Sequence, residues 1–178
     1  IEVKLPTYLD HTFYVKDFGL GLSHDDLIQI YTTYFESTKT DSDDFIGQLG
    51  LGSKSPFSYA ATFTVESRFN GTKRVYTCFK NEQGMPAISL MGEETTKEPN
   101  GLTVSLAVKR DDIDKFNEAA RRVFMYFNPM PKIKGQDNFQ PYTIKHTIAG
   151  TNWKIRETDY RARMEKAYVV QGFVPYPV

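Results

Sequence analysis

The chain has 178 residues, a length for one domain or for one domain with part of another. Its 40% hydrophobic and 14% aromatic content is enough for a core and excludes the low-hydrophobicity, high-charge pattern of disorder. Lys plus Arg and Asp plus Glu balance at 22 each, so no global field draws in nucleic acid or a membrane surface.

A single cysteine, Cys78, excludes an internal disulfide and a cysteine-built metal site, and it fits a reducing compartment. In its β-rich run, with no His nearby, it reads as a packed thiol. No apolar run approaches the ~20 residues that span a bilayer, and the opening residues do not read as a signal peptide. His11, His24 and His146 share no metal-ligand spacing, and His24 reads as a solvated first-turn residue. Residue 1 is Ile, and Ile1 to Leu5 already alternates like a strand, so the chain reads as a domain entered partway.

Residues 1–5 and 11–16 alternate apolar with polar and predict two strands, with a turn from Pro6 to Asp10. Asp17-Phe-Gly-Leu-Gly21 ends the second. Ser23 stands three residues before Asp26, a capping-box-like helix start. Leu27, Ile28, Ile30, Tyr31, Tyr34 and Phe35 then give a helical apolar face over 24–35. Residues 36–44 are polar and predict a surface loop. Glycines follow at 47, 50 and 52, and a short helix is expected over 53–60.

The chain then turns β-rich. Strands are predicted over Thr62–Phe69 and Lys73–Lys80, joined by Asn70-Gly71, the strongest short hairpin signal. A third run, Ala87–Met91, precedes a polar turn from Glu93 to Asn100, and Gly101 opens another strand. Residues 111–127 carry apolar residues at helical spacing, with acids early and Arg121-Arg122 late, as the helix dipole favours. Asn128-Pro-Met-Pro131 marks a boundary, and Tyr142–Ile148 with Asn152–Arg156 reads as a hairpin beyond it.

Gly47, Gly50 and Gly52 let a backbone approach a ligand with no Cβ in the way. A helix start just after them would aim free N–H groups at an anion. One reading is a P-loop, but Ser53 puts Lys54-Ser55 one residue out of register, and the polar run Asp41 to Asp44 is unlike the buried strand a P-loop follows. A second pairs the loop with Asp17-Phe-Gly-Leu-Gly21. The Asp17 carboxylate would accept from the exocyclic amine of adenine, Gly19 and Gly21 would turn the backbone beside the flat base, and 36–46 would form a lid over the phosphates. A third takes Asp17 as a turn acid and the glycines as ordinary loop residues.

D-x-G-x-G, a helix, a polar lid, G-x-x-G-x-G, a hairpin and a glycine-led strand is an order that resembles the GHKL ATP-binding domains of gyrase, the ninety-kilodalton heat-shock chaperone, histidine kinases and MutL. Over residues 1–127 the resemblance implies an α/β two-layer sandwich (the Bergerat fold), a mixed, mostly antiparallel sheet with helices on one face. It implies ATP or ADP with Mg2+ as cofactors and clamp-like dimerisation into a homo-oligomer. Asp17 would bind the adenine amine and Gly21 flank the base. Gly50, Leu51, Gly52 and Ser53 would offer amides to phosphate, with Gly47 in the same loop; Lys54 would add charge by its proximity in sequence, not by the resemblance.

Two departures matter. The family places a threonine directly after the strand-opening glycine to support the adenine carboxylate. Here Leu102 follows Gly101, and Thr103 serves only if the strand slips, because neighbouring strand residues face opposite sides. The family's general base and magnesium ligand precede the first strand, so no catalytic residue is assigned among the 178 residues. ATPase activity therefore stays open against a non-hydrolysing regulatory or interaction domain. A histidine kinase is disfavoured, since no phosphoacceptor helix is visible.

Overall likeness, including the segment after Asn128, extends to the rapid-lysis proteins of T-even phages. That implies a phage or host protein partner in the host cytoplasm, peripheral to the inner face of the host membrane. Residues 128–178 would start a following β-rich domain.

Overall fold

The computed structural model describes residues 1–32, 52–143, 146–151, 153–156, 168–171 and 173–177. Strands β1 (Glu2–Lys4) and β2 (Thr12–Lys16) are followed by α1 (His24–Thr32) and a 3-10 helix (Gly52–Ser58). Next come β3 (Thr62–Phe69), β4 (Thr72–Lys80), β5 (Pro86–Thr95) and β6 (Gly101–Ala107). Helix α2 (Ile113–Phe124) and β7 (Lys132–Lys134) follow. Two hairpins end the described chain: β8 (His146–Ala149) with β9 (Lys154–Arg156), and β10 (Tyr168–Gln171) with β11 (Val174–Pro177).

Among the described residues, seven strands form one sheet in the order β5-β4-β3-β6-β2-β1-β7. Only the β1–β7 pair in it is parallel. Cross-strand partners share a face, and one register line runs Val3, Val15, Val104, Val65, Tyr76 across five strands. Both helices pack on that face. Leu27 and Tyr31, one helical turn apart on α1, close a core with Phe63, Val65, Tyr76 and Cys78. Ala120 of α2 closes a second with Val3, Leu5 and Phe139. The neighbouring line, Glu2, Lys16, Thr103, Glu66, Val75, therefore faces the other way. The expected two-layer α/β sandwich is what the chain forms.

Local expectations hold where the cause is local. Asn70 and Gly71 both have positive φ (49° and 74°), the primed turn that Asn-Gly predicts. Ser23 Oγ accepts the Asp26 amide at 3.2 Å and donates to Asp26 Oδ2 at 2.6 Å, capping α1. Ser23→Ala is expected to cost about 1 kcal/mol, read as a lower urea midpoint.

Other boundaries move for tertiary reasons. β5 runs on to Thr95 because Arg74 and Lys73 of β4 hold Glu93 and Glu94, and Met91 is left over at a register shift opposite Val75/Tyr76. The helix expected over 53–60 is a 3-10 turn with Pro56 inside it. The helix expected over 111–127 begins as a 3-10 turn (Arg110–Asp112) and ends at Phe124. β7, beyond the Asn128-Pro-Met-Pro131 stop, lies alongside β1 at the sheet edge. His24 is not simply solvated: its Nδ1 lies 2.9 Å from the Tyr76 hydroxyl and its ring stacks on Tyr76.

Cys78 is 1% exposed, and burial pushes its thiol up to about 12. The thiolate is the reactive form, so iodoacetamide at pH 8 is expected to leave the native thiol unmodified. Label should appear only as urea unfolds the chain. Rapid native labelling would contradict this packing.

Candidate functional site

The site grows from the end of β2. The Asp17 main chain continues the ladder, its N–H donating to the Leu102 carbonyl at 2.8 Å. By alternation Asp17 faces the helix side, with Val15. Its Oδ1 accepts two amides, from Gly19 at 2.9 Å and Leu102 at 3.1 Å. Among the described residues nothing donates to Oδ2. The carboxylate thus has one oxygen fixed by the main chain and the other available to a ligand donor. Its charge reaches the core: burial first, then Cys78 and Asp17, holds the Tyr31 hydroxyl above the usual tyrosine range.

Gly21 of the loop and Gly101 at the start of β6 are demanded by close approach. Gly21 has φ +73°, and a Cβ there would stand 2.1 Å from the Arg68 carbonyl oxygen. Gly101 has φ +148°, and a Cβ there would stand 2.3 Å from the Asp17 carbonyl oxygen. Leu22, next along, is tied twice to Ser67: its N–H donates to Ser67 Oγ at 3.0 Å, and that hydroxyl donates to the Leu22 carbonyl at 2.7 Å. The loop from Asp17 to Leu22 is therefore seated on β6 and β3 by its main chain, through the strand backbones and the Ser67 hydroxyl.

The other sequence candidates are placed unevenly. β6 pairs with β2 and β3 in unbroken register. Thr103 accordingly faces away from Asp17, and its hydroxyl accepts from Arg68 Nη1 at 3.1 Å. The support expected of a threonine comes instead from the Leu102 amide. Lys54 is 7% exposed and its ammonium donates to the Ile30 carbonyl, near the C-terminal end of α1. Gly52 and Ser53 open the 3-10 helix. Gly47, Gly50, Leu51 and the expected lid over 36–46 lie outside the described residues.

Three contributors were not singled out by the sequence: Ser67, Leu22 and Leu102. No local signal marks them, because each acts through a partner at least 45 residues away. Among the described residues, no three His, Cys, Asp or Glu side chains are grouped to hold a metal ion, and no helix is long and apolar enough to cross a membrane.

No protein-family model and no curated protein matches the chain. Solved structures do. The ATPase region of Saccharomyces cerevisiae topoisomerase II bound to ICRF-187 (dexrazoxane) is similar at 18% identity and TM-score 0.51, over 76% of this chain and 41% of that one. The ATPase and transducer domains of DNA topoisomerase II from Balamuthia mandrillaris are similar at 19% identity and TM-score 0.50, over 75% and 40%. The chain spans about two fifths of the length of those structures. The likeness shows the fold, the one shared with these topoisomerase II ATPase regions.

Proposed function

We propose that the chain is the adenine-nucleotide binding domain of a GHKL-type ATPase. The observation that carries this reading is the divided carboxylate of Asp17. Oδ1 is committed to the Gly19 and Leu102 amides, while Oδ2 has no donor among the described residues. An exocyclic amine supplies such a donor. Gly19 carries no side chain beside the carboxylate, where a Cβ would stand 3.2 Å from Oδ1, and Gly21 is assigned to flank the base by resemblance. The phosphates are assigned by resemblance to the amides of Gly50, Leu51, Gly52 and Ser53, with Gly47 shaping the loop. Lys54 contributes a nearby positive charge while its ammonium is engaged with Ile30. Mg2+ bound with the nucleotide would offset phosphate charge; no residue of this chain is assigned to it.

The finer reading follows the same resemblance. It takes up the overall resemblance of the sequence to the rapid-lysis protein rIIA of T-even phages. We assign it a role in lysis inhibition, acting in the host cytoplasm and peripherally at the inner face of the host membrane. Closure of residues 36–46 over the nucleotide, homodimerisation and a phage or host protein partner belong to this reading. Residues 1–127 are taken as the nucleotide module and 128–178 as the start of a following domain, with β7 and Phe139 of that segment packed onto the module's sheet and core.

The test is calorimetric titration of ATP and ADP, with Mg2+, into the wild type and Asp17→Asn. Saturable binding that weakens between about ten- and a hundredfold in the variant is expected, since a charged hydrogen bond is replaced by two facing donors. No binding to either protein sinks the reading.

A second reading, a non-hydrolysing regulatory or interaction domain, is favoured by Thr103, which faces away from Asp17. Phosphate release separates the two. Binding without turnover by the full-length protein supports the regulator; turnover supports the ATPase.

A further inference from the structure

Arg68 is the largest fully buried side chain among the described residues, with 0% of its surface exposed. It lies on the sheet face opposite Asp17, in register with Gly101. Its Nε donates to the Pro99 carbonyl at 3.2 Å, and its Nη1 to Thr103 Oγ1 at 3.1 Å and to Glu66. Glu98 adds a carboxylate oxygen 3.9 Å from Nε. Nη2 is buried without a protein partner among the described residues, so the cation is held through the groups on its Nε and Nη1.

Pro99 and Thr103 bracket Gly101-Leu102. That dipeptide holds Asp17: the Leu102 amide donates to Oδ1, the Leu102 carbonyl accepts the Asp17 N–H, and the Gly101 α-carbon abuts the Asp17 carbonyl. The Arg68 carbonyl itself is the surface against which Gly21 is packed. One side chain thus grips both sides of the segment that fixes the carboxylate, and its own main chain supports the far end of the loop.

We infer that Arg68 is a positioning residue for the Asp17 site, acting through the sheet by clamping residues 99–103, with Thr103 as its acceptor. The ligand half of this inference rests on the nucleotide reading above; the geometric half does not. Arg68 touches no ligand. It sets where the Leu102 amide stands, and so which way the free Asp17 oxygen is presented.

Native-state amide hydrogen exchange by NMR tests the geometric half. Arg68→Met and Thr103→Val are expected to speed exchange of the part-buried Leu102 amide by about tenfold, leaving the Val65 and Tyr76 amides unchanged. Thr103→Ser, which keeps the acceptor, should exchange as the wild type does. Unchanged exchange at Leu102, or equal acceleration across the sheet, overturns the inference. If Arg68→Met does not fold, the Thr103 pair carries the test.

ATP titration tests the ligand half. Arg68→Met should weaken binding by about tenfold in the wild-type background and add little in the Asp17→Asn background, the coupling expected of residues that act as a unit. Additive losses overturn it. If the wild type binds no nucleotide, the nucleotide reading falls, and the exchange result alone decides whether Arg68 holds the loop.

Discussion

Gly101→Ala is expected to destabilise the protein by about 3 kcal/mol, seen as a lower urea midpoint at unchanged slope. Two effects add. The backbone there has φ +148°, a conformation L side chains rarely adopt, which alone costs about 1–3 kcal/mol. A Cβ would also stand 2.3 Å from the Asp17 carbonyl oxygen, 3.0 Å from its carbon and 3.1 Å from Phe18 Cα. All three atoms are main chain, so no rotamer change relieves the clash; β6 and the Asp17 loop must part. Gly84→Ala is the control. Gly84 also has positive φ (76°) but a Cβ there meets nothing within 4 Å, so only the backbone cost, about 1 kcal/mol, applies. Equal losses in the two variants would falsify the close contact between loop and strand.

The second large effect separates two roles of one carboxylate. Asp17→Ala removes the acceptor of both the Gly19 and Leu102 amides. The Gly19 bond is exposed and water replaces it; the Leu102 bond is partly buried, so its loss should cost about 1–3 kcal/mol of stability. Asp17→Asn keeps an oxygen where Oδ1 stands and should fold with nearly wild-type stability. The nucleotide reading predicts that it nonetheless loses affinity. Alanine should therefore lower both the urea midpoint and ATP binding, and asparagine binding alone. If asparagine unfolds the protein as readily as alanine, the charge itself is structural. If it binds ATP as the wild type does, the free oxygen is not the base contact.

Several features were legible because their causes are local. The Asn70-Gly71 turn needs only two residues that tolerate positive φ, and the α1 start only Ser23 and Asp26. The helical spacing of Leu27 and Tyr31 identified the buried stripe. D-x-G-x-G carried the resemblance from which the sandwich was expected, and the fold agrees. The length of β5 was underestimated because Glu93 and Glu94 read as turn residues in isolation. Their partners, Arg74 and Lys73, are on another strand.

The amino-acid sequence by itself determined which segments alternate, which turn, and that Asp17, Gly21 and Gly101 belong to one pattern. Only the tertiary structure decided what those residues do to one another. The strand order places β6 between β3 and β2, so that a Leu102 amide 85 residues away, and not Thr103, holds the Asp17 carboxylate. It also turns Thr103 to the opposite face, where it meets Arg68. The physical reason is range. Period and turn chemistry act between neighbours along the chain, whereas register across a sheet is set by the packing of both helices on one face, and a one-residue shift exchanges every side chain between the faces.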